Sequence, residues 1–321
     1  MKKLFYISLV FVVLQSTLSA QQSKSKGLSE EGYKHWIRAV TMLEEVKEDV
    51  DYIEPLIEFQ LVTQTDSTYA DAWHNIAVLS VKLGELGGGV PLYDMAEFAY
   101  KKYQSLHPSE KNNITKQLIQ VDLKKEKFLS NFMSDFKFVE KGVYEEKKGK
   151  KIIETKEVDA FYIQSRLFTL ADLEKICTPV AMALYGDFSI SYYNGEDSRP
   201  CIISYTDAEK VAKLLTFITG KEFFIPTLAH YKRIYQVNAS LISRTTTEMG
   251  YPYTLGQYYN HLIYVWVNHS KGNENLTFFH FPFWEKSKYM IYRNVGIKIG
   301  YDSDGGANLL AFRLALSVSE K

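Results

Sequence analysis

The seven histidines, His35, His74, His107, His230, His261, His269 and His280, are the first candidates for metal or acid–base chemistry. None forms His-x-x-x-His or His-x-x-Glu-His, the spacings that set two imidazoles on one helix face around zinc. His280 sits between Phe279 and Phe281, a setting that suits a packed ring. The two cysteines, Cys177 and Cys201, are too few for a disulfide framework. They either pair in an oxidising compartment or lie buried as free thiols. No Gly-x-Ser-x-Gly, phosphate loop or dinucleotide fingerprint is present. Gly84 to Gly89 is glycine-rich, but no Gly-Lys-Ser/Thr comes after it. Asp302-Ser-Asp-Gly-Gly306 offers oxygens to a calcium ion, the one cofactor in view. It falls far short of a full calcium loop, so a solvated turn is expected. No catalytic, cofactor-binding or metal-binding residue is assigned.

Aromatic side chains are the other chemistry this chain holds. Tyr251, Tyr253, Tyr258, Tyr259, Tyr264, Trp266, Phe278, Phe279, Phe281, Phe283, Trp284, Tyr289 and Tyr292 crowd one late stretch. Rings of this kind serve sugar and protein sites, yet a loop-rich fold also needs them as core. Trp36, Trp73, Tyr251, Tyr253, Tyr258 and Tyr259 are taken as the candidate binding surface.

The elements that position these groups begin after an export signal. Lys2 and Lys3 precede an apolar run from Leu4 to Leu14, with small and polar residues from there to Ala20. The run is too short to cross a bilayer of about 30 Å. Residues 1–20 are read as a signal peptide, with Gln21 opening the mature chain. Its removal leaves 36 basic against 38 acidic side chains, a formal charge of −2. That balance attracts neither nucleic acid nor anionic lipid. No later segment is long and apolar enough to span a membrane.

Residues 27–133 read as helical. Trp36 and Trp73 stand 37 positions apart, near the period of a two-helix repeat. Asn113 to Asp135 predicts one more helix, with Ile114, Leu118, Val121, Leu123, Phe128, Leu129 and Phe132 as its apolar stripe. From 134 to 319 the texture becomes mixed. Phe136–Val139 alternates, Glu146–Lys150 is a turn, and Lys151–Ile163 reads as a returning strand. Thr169 caps a helix with Asp172 three residues on. Thr206 and Glu209 repeat that pattern, on a helix burying Ala208, Val211, Ala212, Leu215 and Ile218 and ending at Gly220. Short strands are expected at His261–Val267, Leu276–Phe281 and Leu309–Leu316. The fold class is α+β: all-α helices, then an irregular α/β domain.

Asp66-Ser-Thr-Tyr-Ala-Asp-Ala-Trp73, with Ile76, Ala77, Ala96, Tyr103 and Pro108, resembles a tetratricopeptide repeat. Ser80 departs from the usual Tyr, and Gly84–Pro91 lengthens the turn. Two repeats are fewer than the ~3 a free-standing stack needs, so this region is expected to lean on the C-terminal domain. The alternative is a plain pair of helical hairpins. The second domain resembles the formylglycine-generating (sulfatase-modifying) family. The resemblance rests on Phe136–Tyr144, Val158–Ile163 with Phe168-Thr169, Pro200–Ala208, Thr219-Gly-Lys-Glu-Phe-Phe-Ile-Pro-Thr227 and Ala311–Leu316. It implies a fold related to C-type lectins. The family's oxidases bind copper through a late cysteine pair, and this chain has no cysteine after Cys201. Thiolates are not replaced by Asn or Ser for a soft metal. Leu228, His230, Tyr231 and Lys232 stand where the hallmark is acidic, and Phe224 replaces its arginine.

These residues predict a pseudoenzyme exported to the periplasm or surface of a Gram-negative bacterium. There it holds a protein partner, with no nucleic acid and no membrane span after signal removal. Two alternatives stay open: an enzyme with altered chemistry on the same frame, and a glycan-binding module.

Overall fold

A computed structural model describes residues 27–148, 151–186, 201, 203, 205–238, 264–267, 277–280, 291–293 and 314–318. Among them the helices are α1 (Glu30–Glu45), α2 (Ile53–Thr65), α3 (Ala70–Leu83), α4 (Val90–Leu106), α5 (Lys111–Met133), α6 (Leu170–Ile176), α7 (Pro179–Tyr185), α8 (Tyr205–Thr219) and α9 (Leu228–Asn238). The strands are β1 (Phe136–Val139), β2 (Gly142–Lys148), β3 (Lys151–Val158), β4 (Phe161–Gln164), β5 (Phe223–Phe224), β6 (Tyr264–Val267), β7 (Thr277–His280), β8 (Ile291–Arg293) and β9 (Ala315–Ser317). The molecule is mixed α+β, helix-rich at its N-terminal part, with small antiparallel sheets. It divides into two compact units, Met1–Leu129 with Pro179–Leu184, and Ser130–Thr178 with Tyr185–Lys321.

In the first unit α1 packs on α2, α2 on α3, and α3 on α4. Ser29 caps α1, its Oγ accepting the Gly32 N–H at 3.0 Å, and Glu30 and Glu31 face the positive helix end. Ser29 also donates its N–H (3.0 Å) and hydroxyl (2.7 Å) to Asp66 Oδ2, tying the start of α1 to the end of α2. A Cβ on residue 32 would lie 2.0 Å from that oxygen, so any side chain there would push the Asp66 carboxylate out of place. The α3–α4 connection is a π turn over Gly84–Gly88, with Gly87 at φ 106° and Gly89 at φ 81°. Trp36, Phe59, Leu83, Tyr93, Ala96 and Ile114 are among the residues that close the core. The expected stripe on α5 holds at Ile114 and Val121, but Leu123 is exposed. It falls off the 3.6-residue phase of those two positions.

The second unit's main sheet runs β1-β4-β9-β5, each pair antiparallel. β2 and β3 form a separate hairpin, and β6-β7-β8 a third small sheet. The single strand expected over 151–163 breaks at Asp159-Ala160, because β3 turns back on β2 while β4 joins β1. Strand pairing also extends to Lys148, which shortens the expected 146–150 turn. β6, β7 and β9 lie within or against the three late stretches expected as strands. Thr169 and Asp172 form the expected capping box on α6. On α8, Ala208, Val211, Ala212, Leu215 and Ile218 are all buried, and Gly220 ends the helix at φ 67°. Thr206 is not the cap: α8 begins at Tyr205, so Thr206 lies in its first turn.

Candidate functional site

Trp36, a candidate for the binding surface, belongs instead to the core at 2% exposure. Its ring meets Phe59 edge-on at 5.2 Å and Tyr69 at 5.1 Å. The start of α3 therefore covers it. Its Nε1 has no hydrogen-bond partner among the described residues. Trp73, at the same place in the next hairpin, is only half-buried. It donates Nε1–H to the Ser67 carbonyl at 2.8 Å, which fixes the ring.

Against that fixed ring stands Phe98 of α4, edge-on at 5.7 Å and 53% exposed. Lys102 lies over the Phe98 ring, its Nζ 5.5 Å from the centroid. The result is an aromatic pair with a cation beside it. Such a patch offers apolar area with little rotamer entropy left to lose. Sequence reasoning passed over Phe98. The signal was there: Leu92, Tyr93, Ala96, Ala99 and Tyr100 set the buried phase of α4, and 98 falls outside it. On α1, Tyr33 and Ile37 form a second exposed apolar pair four residues apart.

The helical histidines are held in side-chain pairs. His35 Nδ1 meets Glu58 Oε2 at 2.6 Å, joining α1 to α2. His74 packs on Tyr103 at 5.0 Å, and Tyr103 stacks on His107 at 5.2 Å. Burial lowers the His74 pKa, partly offset by Asp71 and Glu110.

In the second unit, the groups nearest to catalytic types serve local structure. Thr227 caps α9, and His230 takes the place a Glu usually holds in a capping box. Its Nδ1 accepts the Thr227 N–H at 3.1 Å, and the Thr227 hydroxyl lies 2.6 Å away. The ring packs on Phe161 at 4.6 Å and Phe224 at 5.0 Å. Burial, helped by Lys156 and opposed by Asp159, pushes its pKa down to about 4. Lys232, on the same helix, is buried against Tyr144, donating to its hydroxyl and lying 4.5 Å from its ring centroid.

Arg166 bridges Asp135 (Nε to Oδ2, 2.7 Å) and Asp172 (Nη2 to Oδ1, 2.8 Å). Burial alone would raise the Asp172 carboxyl. Arg166 and the Thr169 donors outweigh it and hold the pKa below the usual value. Cys177 and Cys201 are free thiols. Burial pushes Cys177 up to about 11 and Cys201 to about 12.

Tyr251, Tyr253, Tyr258 and Tyr259 lie outside the described residues, as does Asp302–Gly306. Among the described residues no group of three or more His, Cys, Asp or Glu is placed to hold a metal ion. Among the same residues no helix is long and apolar enough to cross a membrane. No family model matches this chain, and no curated protein or solved structure is significantly similar to it.

Proposed function

We propose that this chain is an exported scaffold of a Gram-negative envelope, which holds a partner protein on its helical hairpins. The observation that carries this reading is the Trp73–Phe98–Lys102 patch. A phenylalanine left 53% exposed, braced by a hydrogen-bonded tryptophan and flanked by a cation, suits a protein contact. Covering it would contribute roughly 1.5–3 kcal/mol for the Phe alone. The consecutive hairpins α1–α2 and α3–α4 support a tetratricopeptide-like reading of the region.

The reading of the second unit as a degenerate sulfatase-modifying, C-type-lectin-like domain draws support from topology. Four stretches resembling that family are distant in sequence, and the strands from them are neighbours in one sheet, β1-β4-β9-β5. The fifth leads into α8, which ends one residue before Gly220 of the hallmark-like segment. Within that segment, Thr227 and His230 form a helix cap, a structural use of a position that is acidic in the family's hallmark. Cys201 is buried and Cys177 half-buried, and both thiols are held protonated, which suits a non-catalytic domain.

The test is affinity capture from the native envelope, with the mature protein and its Phe98→Asp variant compared at equal loading. A partner retained by the wild type and lost with the variant is the expected result. Equal capture by both proteins, or no specific capture by either, would overturn the reading. Circular dichroism of the variant should match the wild type, since Phe98 lies outside the core.

A further inference from the structure

The two hairpins repeat one arrangement of rings. Each sets a tryptophan of its first helix edge-on to a phenylalanine of its second: Trp36 on Phe59 at 5.2 Å, and Trp73 on Phe98 at 5.7 Å. The first pair is closed. Tyr69, the N-cap of α3, lies 5.1 Å from Trp36, and Phe59 is fully buried. The second pair is open, with Phe98 53% exposed. By the spacing of Tyr69 from Trp36 or from Phe59, the matching residue is Leu106 or Pro108, and neither is aromatic. The next helix does not close it either: α5 meets α4 at Tyr93 and Asp94, through Phe128 and Lys125.

The chain itself therefore shows what covers such a pair. It is one aromatic ring at the start of a helix, with a carboxylate, Asp71, two residues on. Charge at the open pair points to the same chemistry. Lys102 holds its Nζ 5.5 Å from the Phe98 centroid and has no carboxylate partner among the described residues, whereas its neighbour Lys101 is paired with Glu97. An unpaired ammonium beside an exposed ring favours a ligand that brings both an aromatic face and a negative charge.

We propose that the open Trp73–Phe98 pair takes an aromatic side chain of the partner protein, on a segment whose nearby carboxylate pairs with Lys102. The proposal rests on the partner-holding reading above and names the chemistry of that contact. Trp73 is a preorganised wall for the incoming ring. Its Nε1–H is already engaged by the Ser67 carbonyl, so the indole has little freedom left to lose on binding.

The experiment is an NMR titration of the full mature chain, read at the Trp73 indole N–H. The probe is a synthetic peptide with the sequence of Asp66–Ala72. Asp-Ser-Thr-Tyr-Ala-Asp-Ala carries one aromatic ring between two carboxylates and no other large apolar group. It should shift the Trp73 signal saturably. Tyr69→Ala in the peptide should weaken binding at least about ten-fold, as loss of a buried ring does. Lys102→Glu in the protein should weaken it about five-fold, the upper end for one exposed ion pair. A peptide with Asp66→Lys and Asp71→Lys should regain that loss on the Lys102→Glu chain. No shift at Trp73, equal binding of the Tyr69→Ala peptide, equal binding by the Lys102→Glu chain, or a loss that the lysine peptide does not reverse would overturn the proposal. So would shifts at Trp73 that grow with protein concentration alone, because a second copy would then be the occupant. Envelope capture lost with Phe98→Asp but unchanged by Lys102→Glu would also overturn it, yet leave the partner-holding reading standing.

Discussion

At His230 an imidazole does the work of a carboxylate. Its Nδ1 accepts the Thr227 N–H, so the ring must stay neutral with its proton on Nε2. The folded pKa is about 4, against an ordinary value of 6.5. Above pH 6.5 both folded and unfolded states are neutral, and the cap contributes fully. Between 6.5 and 4 only the unfolded state binds the proton, so stability falls as pH drops, by up to about 3 kcal/mol. Below 4 the loss levels off. Denaturant melts at pH 7.5 and 4.5 should show this drop in wild type, and a smaller one in His230→Gln, which keeps an acceptor but cannot titrate there. Equal drops in the two proteins would place the pH dependence elsewhere. The role of His230 was not legible in the sequence, because a His in the fourth position of a capping box is not the usual signal. Trp36 and Trp73 carry a related lesson. Residue type and spacing suggested matching surface roles, but Tyr69 covers the first ring and no such cover was apparent from spacing. Trp36→Ala should cost about 3–5 kcal/mol, as truncation of a buried Trp does, while Trp73→Ala should cost clearly less. Thermal melts of the two variants check the order.

Elements with a strong period were readable, and elements defined by their partners were not. The buried face of α8 and the cap of α6 come from local pattern, and both stand in the structure. The β3–β4 break was hidden, because one alternating run serves two sheets and only tertiary pairing divides it. α7 was also hidden. Its apolar run is too short to show a period, and nothing local assigns it to the helical unit. Between α1 and α2 the Ser29–Asp66 clasp makes a sharper claim. Gly32→Ala would place its Cβ 2.0 Å from Asp66 Oδ2 and displace the acceptor that holds Ser29. The expected cost is about 1–3 kcal/mol despite alanine's better helix propensity. With Asp66→Ala already present, the same change should cost much less, because the obstacle is gone. A four-protein cycle by chemical denaturation reads this directly, and additive costs would contradict the clasp.

On the scale of the whole molecule, exposed aromatics with a cation over the ring occur in both units, Phe98 with Lys102 in the helical one and Phe217 with Lys213 in the second. In the second unit Arg166 and His230 brace caps and strand ends. This bears on copper. Cu(I) favours soft thiolates, and the chain's two thiols are Cys177 at the end of α6 and Cys201 before α8. Burial lifts them to about 11 and 12, and a thiolate at Cys177 raises Cys201 further. Binding copper at pH 7 must first remove those protons. At about 1.4 kcal/mol for each pH unit, deprotonating Cys177 alone costs roughly 5 kcal/mol. The backbone of Cys201 is also held, its N–H donating to the Phe168 carbonyl at 2.8 Å. Purified protein should therefore react with iodoacetamide at pH 8 far more slowly than a free thiol. It should yield two thiols only under denaturant. Incubated with copper, oxygen and a Cys-containing peptide, it should form no formylglycine. Stoichiometric copper, with peptide oxidation abolished by Cys177→Ser or Cys201→Ser, would make the second unit an enzyme. A count of zero thiols under denaturant would instead mean that the pair closes into a disulfide in the exported protein, where oxidising conditions favour it.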